Sequence, residues 1–250
     1  MPRKAREKSE SGIYHVMLRG SNRQQIFHDD EDCQVFMGVL ERVKQVSGMQ
    51  LHAFCLMGNH VHLLIRETTE PLEIVFRRIG AAFVYWYNVK YDRVGHLFQD
   101  RFKSEPVNDD AYYLNVLRYI LQNPVKAGIC GSMADYAFSS AREYLNGDVG
   151  ITDINFARSL MREAELRDFL MTESADTCLE MTDTSSVHVT DTEASRMIID
   201  EFGTMMPVHG STTNHSAFNE SVCRLRKAGV SIRQLSRLTG LSKKVIENSK

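Results

Sequence analysis

The sequence predicts an α+β fold: an antiparallel sheet with helices packed on one face, followed by a mostly helical C-terminal region. Three observations carry that reading. Apolar residues alternate in short runs over residues 12–19, 50–57 and 60–66, the period of strands. Around those runs they recur at intervals of three and four, the period of helices. Gly58-Asn59 separates two of the strand runs, a pair that signals a tight hairpin and so antiparallel neighbours.

Taken in order, Gly12 to Arg19 forms a first strand running into the polar turn Gly20-Ser21-Asn22-Arg23-Gln24-Gln25. Asp29 or Asp30 caps a helix over 31–47, with Val35, Phe36, Val39, Leu40 and Val43 on one side, and Gly48 closes it. Strands over Gln50–Met57 and His60–Arg66 follow. A second helix, over 72–91, carries Leu72, Val75, Phe76, Ile79, Phe83 and Trp86 on one side, while its Arg77, Arg78 and Lys90 read as a solvated face. A fourth strand covers Phe102–Val107. Asp109 then caps a helix over 110–122, which Pro124 ends because proline disfavours helical geometry in the residue before it.

At 250 residues, 43% of them hydrophobic, the chain can hold one large domain or two small ones. Its first residues are basic and polar, unlike a secretory leader, and no run approaches the ~18 apolar residues of a membrane span. Five scattered cysteines without CxxC spacing argue against a disulfide framework or a zinc ribbon and fit a cytoplasmic location. A net charge of −2 hides strong segregation. Residues 1–147 carry 18 basic and 17 acidic side chains, 148–221 carry 4 and 14, and 222–250 carry 8 and 1. We therefore expect a front domain over 1–147, an acidic linker with helices over 148–215, and a basic tail over 216–250. The stretch 172–195, rich in Thr, Ser, Asp and Glu, is the least core-forming part. It reads as a linker, or as a mimic of phosphate charge.

In the tail, Ser231 to Ile246 spells a helix, a turn at Gly240, a Ser242 cap and a second helix, the form of a helix-turn-helix. Arg233 lies on the first of these helices, and Ser242, Lys243 and Lys244 open the second, where they would meet DNA. The same residues also suit a small helical cap with solvated lysines.

Leu56 to Ile65 is the most informative stretch. His60 and His62 share one sheet face while Val61, Leu63 and Ile65 point into a core. Two imidazoles on one face can share a divalent metal at about 2.0–2.2 Å each. A buried, hydrogen-bonded His62 with His60 ending a turn accounts for the spacing as well. Arg19 and Arg23, beside the first turn, suit either phosphate or solvent.

Gly58-Asn59-His60-Val61-His62 and Arg118-Tyr119-Ile120-Leu121-Gln122-Asn123-Pro124-Val125-Lys126-Ala127-Gly128 resemble the single-tyrosine HUH transposases of the insertion-sequence 200/605 class, specifically the REP-associated tyrosine transposases. Arg19 to Phe27 and Phe98 to Ser104 extend the resemblance, so that four segments match in order over residues 12–130. The acidic insert and the tail lie outside it. The resemblance implies a ferredoxin-like sheet and metal-dependent nicking and joining of single-stranded or hairpin DNA, including REP-like elements. It assigns His60 and His62 as ligands of Mg²⁺ or Mn²⁺ and Tyr119 as the nucleophile that forms a 5′-phosphotyrosine. Asn123 takes the third ligand position, where many relatives carry glutamine. Arg19, Asn22, Arg23, Arg101, Lys103 and Arg118 become candidate DNA contacts.

Without the resemblance, Tyr112 and Tyr113 rival Tyr119 as nucleophile. Imidazoles of ordinary pKa would lose the metal as pH falls toward about 5.5. A non-catalytic DNA-binding regulator, reading duplex DNA through the tail, is the alternative function. An RNA-binding role finds less support, because the sheet lacks an aromatic stacking pattern. Monomer and homodimer are both compatible with the sequence.

Overall fold

The computed structural model describes residues 6–99, 101–173, 178, 191–204, 215–228, 230 and 232–249. The chain forms two compact units, Met1–Glu180 and Met181–Lys250.

The first unit is built on four antiparallel strands: β1 (Ile13–Arg19), β2 (Gln50–Met57), β3 (His60–Arg66) and β4 (Lys103–Pro106), in the order β2-β3-β1-β4. With helices α1 (Asp30–Ser47) and α2 (Leu72–Lys90) between them, this is the ferredoxin-like arrangement. Asp29 caps α1 as half of a capping box with Asp32, and Gly48 ends it at φ 71°, a left-handed conformation that suits glycine. The hairpin at Gly58-Asn59 joins β2 to β3 as its sequence suggests.

Helices cover both faces of the sheet, not one. Val16, Leu18, Phe54, Leu56, Val61 and Leu63 pack under α1 and α2. On the other face Ile13, Ala53, Cys55, Met57 and Leu64 lie under α3 (Asp110–Lys126), through Val116, Leu117 and Ile120. At about 1.5–3 kcal/mol per fully buried side chain, both interfaces are substantial. A bulge between Leu51 and Ala53 lets two odd-numbered neighbours serve opposite faces.

Pro124 does not end α3. The helix continues to Lys126, with Pro124 buried in its last turns. Hydrogen bonding resumes at once: the Asn123 carbonyl accepts from the Ala127 N–H (3.0 Å) and the Pro124 carbonyl from the Ile129 N–H (2.9 Å). One helical bond is missing, but burial and these closing bonds hold the turn.

Beyond α4 (Ala141–Leu145), residues 148–172 join the first unit through α5 (Asn155–Leu160) and α6 (Glu163–Met171). Asp153 accepts the Leu51 N–H at 2.8 Å and pairs with Lys44 at 2.8 Å. The Gln122 amide donates to the carbonyls of Leu170 (2.8 Å) and Thr172 (2.9 Å). Contacts thus divide the chain at 180, where charge places divisions at 147 and 215. Much of the 172–195 stretch lies outside the described residues.

The second unit holds α7 (Asp191–Phe202), α8 (His215–Lys227), α9 (Ile232–Thr239) and α10 (Lys243–Asn248). Ala194, Ile198, Val222, Leu225, Leu235 and Ile246 form its core. Gly240 turns the chain at φ 74°, and Ser242 caps α10 through the Val245 N–H.

Candidate active site

The site grows from the β2–β3 hairpin. The turn between β1 and α1 is fastened to that hairpin by backbone bonds. The Asn59 carbonyl accepts the Gly20 N–H (2.9 Å), and the Gly58 carbonyl accepts those of Ile26 (2.8 Å) and Phe27 (3.1 Å). Gly20 has no substitute here, because a Cβ would lie 2.2 Å from the Gln24 carbonyl oxygen. Asn22 and Arg23 hold positive φ of 51° and 59°, uncommon outside glycine.

His60 and His62 project from the same sheet face with ring centroids 5.0 Å apart. His60 Nδ1 pairs with the Asn59 side-chain oxygen at 2.7 Å, so this nitrogen carries the proton. His62 Nδ1 pairs with Nε2 of His15 at 3.0 Å. Neither His60 Nε2 nor His62 Nε2 has a hydrogen-bond partner among the described residues. Arg19 stands opposite His60 in the β1–β3 register, and its Nε is buried with no partner among them. From α3, the Tyr119 ring meets His62 edge-on at 5.6 Å and His15 at 5.9 Å. Asn123 follows one turn later, half-buried, and the Lys126 ammonium lies 5.2 Å from the Tyr119 ring centre.

Burial, aided by the Arg19 charge, lowers the His60 pKa to about 4. Burial also pushes His62 well below its ordinary range, with His15 and His60 adding to the effect. Both rings are therefore neutral at pH 7 and below, the form a metal needs. The ordinary imidazole pKa assumed from sequence thus does not hold for either ring. Among the described residues no group of three or more His, Cys, Asp or Glu converges as a metal centre. The donors expected from the sequence are two imidazoles and, beyond those residue types, the Asn123 amide.

Residues 8–123 match the family model of the IS200-like transposases. They form an IS200-like transposase domain. Among solved structures the chain is similar to a REP-associated tyrosine transposase bound to a REP hairpin. The identity is 20%, the TM-score 0.51, and the likeness covers 62% of this chain and 93% of that one. A Deinococcus radiodurans R1 protein assigned to the transposases aligns at 19% identity, over 48% of this chain and 95% of that one. Its TM-score of 0.35 is too low to argue from. A comparison with curated proteins found no match.

The other expected contacts of the transposase domain divide. Lys103, exposed on β4 opposite Met17, shares the sheet face of the histidines. Arg118 is 9% exposed, with its guanidinium 4.1 Å from the Phe169 ring centre, so it serves the packing of α3 on α6. Arg101 lines a cavity of about 440 Å³ that Leu18 places on the opposite sheet face, together with Arg6, Arg77, Phe76, Phe98 and Phe102. Arg77 is exposed, as expected of it, while Arg78 pairs with Glu70 at 2.7 Å and Lys90 with Asp29 at 2.7 Å. In the second unit Ser242, Lys243 and Lys244 are exposed, and the side chain of Arg233 lies outside the described residues. No described helix is long and apolar enough to cross a membrane.

Sequence reasoning missed His15, Glu105 and Lys126. His15 alternates onto the histidine face of β1, but which residue of β3 it meets depends on register. Lys126 falls two turns after Tyr119, a signal discarded by ending the helix at Pro124.

Proposed function

We propose that this transposase domain nicks and rejoins single-stranded DNA through Tyr119, with hairpin DNA of the REP type as its substrate. The observation that carries the reading is the Tyr119 ring lying edge-on to His62, beside the Nε2 atoms of His60 and His62, which have no partner among the described residues. A Mg²⁺ or Mn²⁺ bound by His60, His62 and Asn123 would neutralise phosphate charge and orient the scissile group. Imidazole ligands favour Mn²⁺ over Mg²⁺, which prefers oxygen. Arg19, whose buried Nε has no partner among the described residues, supplies a fixed cation for the same phosphate.

Tyr119 attacks phosphorus in line through its phenolic oxygen. The bond to the 3′ oxygen breaks, that oxygen takes up a proton, and the chain is left on a 5′-phosphotyrosine. Attack by a 3′-hydroxyl reverses the step, so the broken bond's energy is conserved for joining. The Lys126 ammonium near the Tyr119 ring favours the phenolate that must form.

The test is incubation of the full chain with labelled hairpin and single strands in Mn²⁺ or Mg²⁺, followed by denaturing electrophoresis. Wild type should form a covalent adduct, and Tyr119→Phe and His60→Ala should not. An adduct of undiminished yield from Tyr119→Phe would overturn the assignment.

A second reading rests on Gly240, the Ser242 cap and the exposed Lys243 and Lys244: a regulator binding duplex DNA through α9 and α10. Deleting residues 215–250 separates the two, since nicking should survive while duplex binding is lost.

A further inference from the structure

We propose that His15 and Glu105 form a positioning relay that fixes which nitrogen of His62 faces the metal; the inference rests on the ligand role given to His62 above. His15 is fully buried on β1, and its Nε2 lies 3.0 Å from His62 Nδ1. One proton serves that bond. If His62 is to present the lone pair of Nε2 to a cation, its Nδ1 must be the donor and His15 Nε2 the acceptor. The proton of His15 then sits on its own Nδ1.

That atom faces a carboxylate. Glu105 stands directly opposite His15 in the β1–β4 register, with its Oε2 4.0 Å from His15 Nδ1. Both atoms are buried and have no hydrogen-bond partner among the described residues. Two complementary orphans facing each other are uncommon in a folded interior, where nearly all such groups are paired. The 4.0 Å gap is too long for a direct bond and closes with a small side-chain rotation or a bridging water. Burial, and after it the Glu105 carboxylate, push the Tyr112 hydroxyl above its ordinary range, which marks the two groups as neighbours.

Polarity therefore runs one way: Glu105 sets the proton of His15, and His15 sets that of His62. Histidine ligands are commonly held by such an outer partner, whose loss costs about 10–100-fold in metal affinity.

The tautomers are read directly by long-range ¹H–¹⁵N correlation of the histidine rings in the metal-free full chain at pH 7.5. Both His15 and His62 should be protonated on Nδ1. Mn²⁺ affinity, measured by electron paramagnetic resonance, should fall about 10–100-fold in His15→Phe. It should recover to near wild type in His15→Gln, whose amide oxygen can accept from His62. Should His15→Phe fail to fold, the wild-type tautomers and the glutamine variant still decide the matter.

An Nε2-protonated His62 in wild type, or wild-type Mn²⁺ affinity in folded His15→Phe, overturns the relay while leaving the nicking reading intact. Loss of Mn²⁺ binding in His15→Gln to the level of His15→Phe overturns it as well. Wild type that binds no Mn²⁺ yet shows Nδ1-protonated His62 overturns the metal reading and leaves the relay as the force setting the tautomer.

Discussion

Folding of the first unit should weaken sharply between pH 6.5 and pH 4, and His52 provides the cleanest measure. Its side chain is fully buried at the β2 bulge, with Nδ1 2.8 Å from the Tyr113 hydroxyl. Burial lowers its pKa from 6.5 to about 4, with Asp153 pulling the other way and Arg66 and Lys44 adding to the drop. In the unfolded chain the ring protonates near 6.5, and in the folded protein only near 4. Between those values the unfolded state binds more protons, so stability is fully present above pH 6.5 and is lost as pH falls through 4. Moving from pH 7.5 to pH 5 therefore costs about 2 kcal/mol from this residue alone. His60, with its pKa also lowered to about 4, adds a similar amount. Together they remove about 4 kcal/mol of a total that for most domains is about 5–15 kcal/mol. Urea unfolding followed by fluorescence of the single Trp86, at pH 7.5 and pH 5, measures the loss. His52→Gln, unable to titrate, should flatten the difference by about 2 kcal/mol. Identical pH dependence in wild type and His52→Gln would refute the argument.

Other outcomes follow from the same geometry. Tyr119→Phe keeps the ring against His62, so urea unfolding should shift by no more than about 1 kcal/mol while adduct formation disappears. Mn²⁺ affinity should hold nearly constant from pH 7.5 to about pH 5, because the His60 pKa is lowered to about 4; isothermal titration across that range checks it. Lys126→Gln should slow nicking and move its pH–rate profile toward higher pH, since the phenolate loses a nearby cation. Arg77→Ala and Arg101→Ala should each weaken single-strand binding and reduce the slope of log K against log salt by about 0.7, readable by fluorescence anisotropy.

How much of this was legible in the sequence differs by element. β2 and β3 were readable to the residue because the Gly58-Asn59 turn fixes both their ends at once. The sheet's outer face was not, since apolar positions such as Ala53, Cys55 and Leu64 show that a surface is covered without showing by which helix. Tyr112, Tyr113 and Tyr119 share one helix, and periodicity alone could not rank them. The structure pairs the Tyr113 hydroxyl with His52, sets Tyr112 near Glu105, and sets the Tyr119 ring against His62. His15 stayed hidden because its meaning depends on a pairing between strands nearly fifty residues apart. Pro124 misled because the local rule about proline ignores what burial and the next hydrogen bonds supply.

The two bonds from Gln122 to the backbone at Leu170 and Thr172 bear on how this protein can be dissected. They latch the tyrosine helix onto a segment that charge alone would have assigned to a spacer. A fragment trimmed at the apparent domain edge, near residue 147, would keep every reactive side chain yet lose that latch. Its tyrosine helix would be freer to swing away from the sheet, and a sluggish fragment would then speak of a missing fastening, not of missing chemistry.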